Sequence, residues 1–219
     1  MELEKAINER RSVRGYKKDP VTKETLEKVL KLATRAISAE NTQPWEIAVL
    51  GGETLRNIAA ANVQSFLAGE KPDLAESTFD GVYRQRRIGI GKKLFAAMDI
   101  AREDKEKRLW WSSRGFGFFD APAAFIIYMD KSLGQESVFD IGCLAQNICL
   151  AAMEYGLGTC VEIQAVMYQQ GLRRFLDIPE DKVPVMGVAI GYPDESFAAN
   201  GVRSDRAELS ENVRWYGFD

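Results

Sequence analysis

Apolar and polar positions change period several times along the chain, and each change predicts an element. Glu2 to Glu9 reads as a short first helix. Behind Thr22, a good N-terminal cap, Leu26, Val29, Leu30 and Ala33 recur at helical spacing. "SAENTQPW" (Ser38 to Trp45) is polar, contains Pro44 and predicts a loop. "WEIAVLGG" turns apolar and stops at Gly51-Gly52, a strand and a turn. Glu53 to Gln64, Tyr83 to Met98 and Glu103 to Trp111 read as helices, with an irregular stretch from Ser65 to Asp80. "APAAFIIYMD" (121–130) predicts a central strand, and "VPVMGVAIGYP" (183–193) a second buried strand with a turn. Val138 to Tyr155 is almost continuously apolar, which predicts a helix buried on most faces, in the core or at a subunit interface. "GLGTCVEI" (156–163) reads as a helix stop followed by a strand.

Strands and helices alternate without a regular βαβ rhythm. The fold class expected is α+β: one domain over residues 1–219, with helices packed around one sheet. Residues 65–119 read as a lid or excursion. Residues 200–219, polar with a basic start and an aromatic end, read as a C-terminal extension over a surface.

Composition narrows the function classes. A length of 219 residues allows a full core, and 46% apolar with 28% charged residues is ordinary for a globular protein. The net charge of −3 argues against a bulk pull toward nucleic acid or anionic membrane. No apolar run reaches membrane-spanning length, and "MELEKAINER" lacks a signal-peptide core, so a cytoplasmic protein is expected. Cys143, Cys149 and Cys160 form no CxxC pair and read as small buried hydrophobes. The chain has no histidine. That removes Ser-His and Cys-His nucleophile pairs and the commonest metal ligand. An enzyme with this composition runs on carboxylates and lysines, or on a cofactor.

Four stretches are candidates for chemistry. "ERRSVRGY" packs Arg10, Arg11, Ser12 and Arg14 together. Guanidinium forks and a hydroxyl suit one phosphate group, although arginines also suit a solvated helix end. In "SAENTQPW", Ser38, Asn41 and Gln43 offer donors and acceptors to a polar ring, or ordinary turn chemistry. "GLGT" with "CVE" lets backbone approach a ligand, or simply caps a helix. Arg203 and Arg206 either converge on the same anion or belong to a solvated tail. Trp110, Trp111, Phe116, Phe118 and Phe119 line a flat pocket or the core. The 32 acidic residues offer many carboxylate pairs, and no spacing nominates one.

Taken in order, "ERRSVRGY", "SAENTQPWEIAVL", "FFDAPAAFIIY", "DIGCLAQNICLAAMEYGLGTC", "IPEDKVPVMGVAIGYPD", "NGVRSDRAEL" and "WYGF" resemble the FMN-dependent nitroreductase family over nearly the whole chain. "YRQRRIGIGKKLF" with "AREDKEKR" resembles the branch that includes reductases of nitrobenzoate-type compounds. The resemblance implies a mostly antiparallel sheet flanked by helices, in an intertwined homodimer with FMN at the interface and the C-terminal extension over the partner. It implies NADH or NADPH as co-substrate and a small aromatic electron acceptor, a nitroaromatic or a quinone. The flavin carries the chemistry, so no catalytic side chain and no metal are implied.

By the same resemblance, Arg10, Arg11 and Ser12 hold the FMN phosphate, with Arg206 and Arg203 closing on it. Arg14 lies near the ribityl chain and the pyrimidine edge. Ser38, Ala39, Asn41 and Gln43 reach the flavin from the other subunit. Gly158 and Thr159 lead into Glu162, whose backbone lies by the reactive ring nitrogen. Three positions depart from the family pattern: Ile37, where proline is frequent; Gly115, where relatives often carry an asparagine that reaches the flavin; and Ile163, where glycine is common. The same scaffold also serves reductive dehalogenases, and a flavin-binding redox sensor without turnover is the reading from another class.

Overall fold

The computed structural model describes residues 2–74 and 77–218. Four strands, β1 (Glu46–Gly51), β2 (Ala123–Asp130), β3 (Gly158–Glu162) and β4 (Lys182–Gly191), form one sheet in the order β1-β2-β4-β3. Every neighbouring pair is antiparallel. The helices are α1 (Leu3–Glu9), α2 (Lys23–Ala33), α3 (Gly52–Leu67), α4 (Gly81–Ala97), α5 (Lys105–Phe116), α6 (Gln135–Glu154), α7 (Gln169–Arg173) and α8 (Leu209–Asn212). The α+β class and the antiparallel sheet expected from the sequence are what the chain forms.

The apolar runs of β2 and β4 are explained by a core on each face of the sheet. In β2, Ala124 and Ile126 pack with Leu55, Ile58, Phe118 and Ala165 on one face. Ala123, Phe125, Ile127 and Met129 pack with α2 and α6 on the other. Alternate side chains of a strand point to opposite faces, so a strand covered on both sides loses the polar half of its pattern. Full burial of each such side chain contributes roughly 1.5–3 kcal/mol. Pro184 sits in β4 where the register with β2 slips, between the Ile127↔Met186 and Tyr128↔Pro184 pairs. β3 pairs only with Gly187 to Gly191. Pro184 therefore needs no donor toward β3, and a bulge absorbs it on the β2 side.

Thr22 caps α2, its hydroxyl accepting from Thr25 N at 3.2 Å. Leu26, Val29 and Ala33 are the buried stripe of that helix. α6 departs from expectation. Its buried side is Ser137, Asp140, Ile141, Leu144, Ala145, Ile148, Cys149 and Ala152, while Val138 and Phe139 are 45% and 65% exposed. One sheet face covers only one stripe of a straight helix, so the remaining apolar positions stay outside within a single chain. α3 runs to Leu67, beyond the expected end, and takes the start of the irregular stretch into helix. Residues 75 and 76 of that stretch lie outside the described residues. No described helix is long and apolar enough to cross a membrane.

Candidate functional site

The segment from Arg10 to Tyr16 leaves α1 and runs beside β3. Ser12 forms a parallel bridge with Thr159, and Val13 N donates to Thr159 O at 2.9 Å. Tyr16 pairs with Pro193. A β-carbon on Gly158 would strike Val13 Cγ2 and stand 2.9 Å from Pro193 Cγ, so only glycine permits this approach. The arginine cluster and the "GLGT" turn are thus brought together across 147 residues. Arg10, Arg11, Gly158 and Thr159 line one small recess with Glu9 and Glu195. Arg11 Nη2 contacts both carboxylate oxygens of Glu195, and Arg11 Nε is buried without a partner.

Arg14 points the other way, into a cavity of about 670 Å³. Phe66, Phe79, Phe95, Trp111, Phe116 and Phe119 form its aromatic walls. Cys160, Val161, Glu162, Ile163 and Gln164, from the end of β3 and the turn after it, form its floor. The volume and the aromatic walls suit a flat organic molecule. The main chain of Arg14 is fixed at both ends. Its N–H donates to Asn200 Oδ1 at 2.7 Å, and its carbonyl accepts from Arg114 Nη2 at 2.9 Å. Asn200 is fully buried and also donates to Gly15 O and Asp194 O, at 2.7 and 2.9 Å. Arg114 further binds Phe119 O at 3.2 Å and Asp120 Oδ2 at 2.8 Å. It so fastens a turn in which Phe118, Phe119 and Asp120 all have positive φ. Three consecutive non-glycine residues in that region store strain that the surrounding bonds must hold.

Glu162 is 6% exposed, and neither carboxylate oxygen has a hydrogen-bond partner among the described residues. Burial pushes its carboxyl well above the usual carboxylate range, against the opposing charge of Arg14. Burial therefore disfavours the charged form of the acid on the cavity floor, beside the Arg14 guanidinium. Cys160 is pushed up to about 12 by burial, with Glu162 adding to the rise, so its thiol stays protonated.

The structure fills the space beside Gly115 with another amide. A β-carbon at residue 115 would collide with the carboxamide of Gln164, whose Nε2 donates to Ser112 O at 3.3 Å. Ile163 lines the cavity and is 46% exposed. Ile37 is exposed and lines no cavity described here.

The other predicted residues lie apart from these recesses within the chain. Ser38, Ala39, Asn41 and Gln43 occupy a loop in which Glu40, Asn41 and Gln43 have positive φ. Ser38 Oγ accepts from Gln43 N at 3.1 Å, and Gln43 Nε2 donates to Asn41 O at 3.1 Å. Ala39 N donates to Asp140 Oδ2 at 3.1 Å, which ties the loop to the buried side of α6. Arg203 Nη1 donates to Asn200 O at 3.0 Å, and Arg206 binds Ser204 and the Asp205 carbonyl. Sequence reasoning missed Asn200, Arg114, Asp140 and Gln164. Each acts through main chain or a side chain far away in sequence, and only the polar residue inside an apolar helix, Asp140, stood out in pattern.

Comparison with known proteins agrees with this geometry. The profile of the nitroreductase family matches residues 7–192. A nitroreductase NfnB from Mycolicibacterium smegmatis is 33% identical over 97% of this chain and 92% of its own. A 4-nitrobenzoate reductase from Pseudomonas putida is 30% identical over 100% of this chain and 97% of its own. The crystal structure of an FMN and NADPH-dependent nitroreductase NfnB from Sphigopyxis sp. strain HMH superposes with a TM-score of 0.94 at 29% identity, covering all of both chains. This chain belongs to the nitroreductase family.

Proposed function

We propose that this chain is an NAD(P)H-dependent FMN oxidoreductase that reduces nitroaromatic or quinone-type acceptors. The observation that carries the reading is the pairing of two recesses along one segment: a cationic one at Arg10 and Arg11, and an aromatic cavity at Arg14. A ligand with a phosphate at one end and a flat ring at the other would use both recesses. FMN, when bound, supplies the acceptance and delivery of hydride at its ring.

The residues present fit that group. Arg10, Arg11 and Ser12 hold the phosphate, and the orphaned Arg11 Nε is a donor still in need of an acceptor. Gly158 and Thr159 bring backbone close to it. Arg14, which lines the ring pocket, favours negative charge there. Main chain at Glu162 borders the ring site, and Gln164 supplies the amide that residue 115 lacks. The nicotinamide and the acceptor use the same aromatic cavity in turn. In the first stage a nitro group takes two electrons and two protons and leaves a nitroso group and water, while the nicotinamide gives up a hydride.

The assembly in this reading is a homodimer. Support comes from the unpartnered apolar positions of α6 (Val138, Phe139) and α1 (Leu3, Ile7), and from a tail whose Trp215, Tyr216 and Phe218 are exposed. The Ser38–Gln43 loop of a second copy, with Ala39 and Asn41, completes the ring site, and Arg203 and Arg206 close on the phosphate. The chain is one domain, with 65–119 forming the cavity's outer wall and 200–219 lying over the partner.

The test is NADPH oxidation by the FMN-loaded protein with and without nitrobenzene. Oxidation that depends on the acceptor supports the reading. FMN binding without turnover of any nitroarene or quinone refutes it and leaves a flavin-binding sensor.

A further inference from the structure

The outer wall of the aromatic cavity carries a cation that the phosphate and ring contacts do not use. Arg87 sits on α4 and lines the cavity with Phe79 and Phe95. Its guanidinium carbon stands 5.6 Å from the Phe79 ring centroid. Of the other cations of α4, Arg86 faces Glu211 at 3.6 Å and Lys93 faces Asp205 at 2.6 Å, while Arg84 and Lys92 do not line the cavity. Arg87 has no ion pair and no hydrogen bond among the described residues. One turn on, a β-carbon at Gly91 would meet nothing within 4 Å, so that side of the helix keeps open space.

The charges around the cavity are few. Among the described residues, Arg14 and Arg87 are its cations and Glu162 is its one acid. Glu162 lies buried on the floor, while Arg87 is exposed at the rim. Among the described residues, no carboxylate other than buried Glu162 lines the wall. The rest of the lining combines six aromatic rings with aliphatic, sulfur-bearing and small polar side chains. The ligand this arrangement suits has a flat apolar body and a negative group at the end away from the floor. A guanidinium already lodged over a ring gives up less freedom when it takes a carboxylate in its planar fork.

We propose that Arg87, held against Phe79, forms an outer anion subsite that selects aromatic acceptors bearing a carboxylate, so that nitrobenzoates are preferred over neutral nitroarenes. The inference rests on the nitroreductase reading above. The anion chemistry alone is shared with the phosphates of a dinucleotide, so the test must separate the two.

FMN-loaded protein is reduced anaerobically with dithionite, which leaves the dinucleotide out. It is then mixed with 4-nitrobenzoate or nitrobenzene, and the rate of flavin reoxidation is followed. Titration of oxidised holoenzyme with 4-nitrobenzoate, read from the flavin spectrum, gives binding without turnover. The expected result is a preference for 4-nitrobenzoate that Arg87→Leu lowers by roughly tenfold or more, with Arg87→Lys keeping part of it. Added salt should erode the preference. The 4-nitrobenzoate Kd should rise in parallel in Arg87→Leu.

An unchanged ratio and an unchanged Kd in Arg87→Leu would overturn the subsite. A variant that raises KM for NADPH but not for NADH, with the ratio intact, would assign Arg87 to the dinucleotide phosphate and also overturn it. Reoxidation by neither nitroarene would show instead that the acceptor class itself is wrong, and the subsite would fall with it.

Discussion

Arg11 is the residue on which the phosphate assignment is most exposed to test. In the structure it already has an anion, the carboxylate of Glu195. The side chain of Arg11 is 19% exposed and that of Glu195 is 71% exposed. The pair is therefore solvent-screened on one side, and an exposed pair of this kind is worth about 0–1 kcal/mol. A charge-assisted contact to a phosphate is worth more, about 1.5–3 kcal/mol. The phosphate should win the guanidinium, with Glu195 moving out to water. Arg11→Ala should then weaken FMN binding by roughly tenfold to 150-fold. Glu195→Gln should tighten it slightly, by up to about fivefold, because no anion has to be displaced. The assay is titration of apoprotein with FMN, followed by quenching of flavin fluorescence, and repeated with riboflavin. Riboflavin lacks the phosphate, so its affinity should not respond to Arg11→Ala. Equal loss for both flavins would mean that the substitution damages the fold. Loss for neither would refute the phosphate assignment.

Three further predictions follow from the geometry. Asn200→Ala leaves the Arg14 N–H and the Gly15 and Asp194 carbonyls without their partner; it should cost at least about 2 kcal/mol, a drop of roughly 4–8 °C in Tm by calorimetry. Gly187→Ala puts a β-carbon against Ala165 Cβ and 3.3 Å from the Glu162 carbonyl; overpacking of this kind costs about 1–3 kcal/mol in a urea titration, and it should also loosen FMN because the Glu162 backbone is pushed. Glu162 has a folded pKa raised above its usual 4.5. The folded state thus holds a proton that the unfolded state releases, and its contribution is fully present below about pH 4.5 and lost as pH rises toward the folded value. Glu162→Gln should flatten that fall, which denaturant titrations at pH 4 and pH 8 would show as a variant gaining on the wild type at the higher pH.

The buried strands were legible because a strand covered on both faces has no polar alternation to hide it. β2 and β4 appear in the sequence as unbroken apolar runs for that reason. α6 was legible as a helix but not in its burial, since composition alone cannot tell a face turned to the sheet from one turned away. The arginine cluster was legible as anion chemistry. Its neighbour was less so: the bridge from Ser12 to Thr159 is long-range, and the signal for it is a single glycine whose missing side chain admits Val13. Asn200 and Arg114 left no pattern because their work is done on main-chain atoms of Arg14, which every residue type carries. Gln164 was invisible until Gly115 was seen to leave room for it.

The strained turn at Phe118 to Asp120 belongs to the same account. Arg114 holds the turn and the Arg14 main chain at once, so the aromatic wall and the cation beside it are tied to one guanidinium. A cavity with a preset cation and preset walls loses little ordering entropy when a flat ligand enters.

The most direct test of the central claim is the visible spectrum of the purified protein, followed by anaerobic addition of NADPH or NADH. The account predicts a flavin spectrum, native or after reconstitution with FMN, that the nicotinamide bleaches. A protein that cannot take up FMN, or whose bound flavin neither nicotinamide reduces, would contradict it.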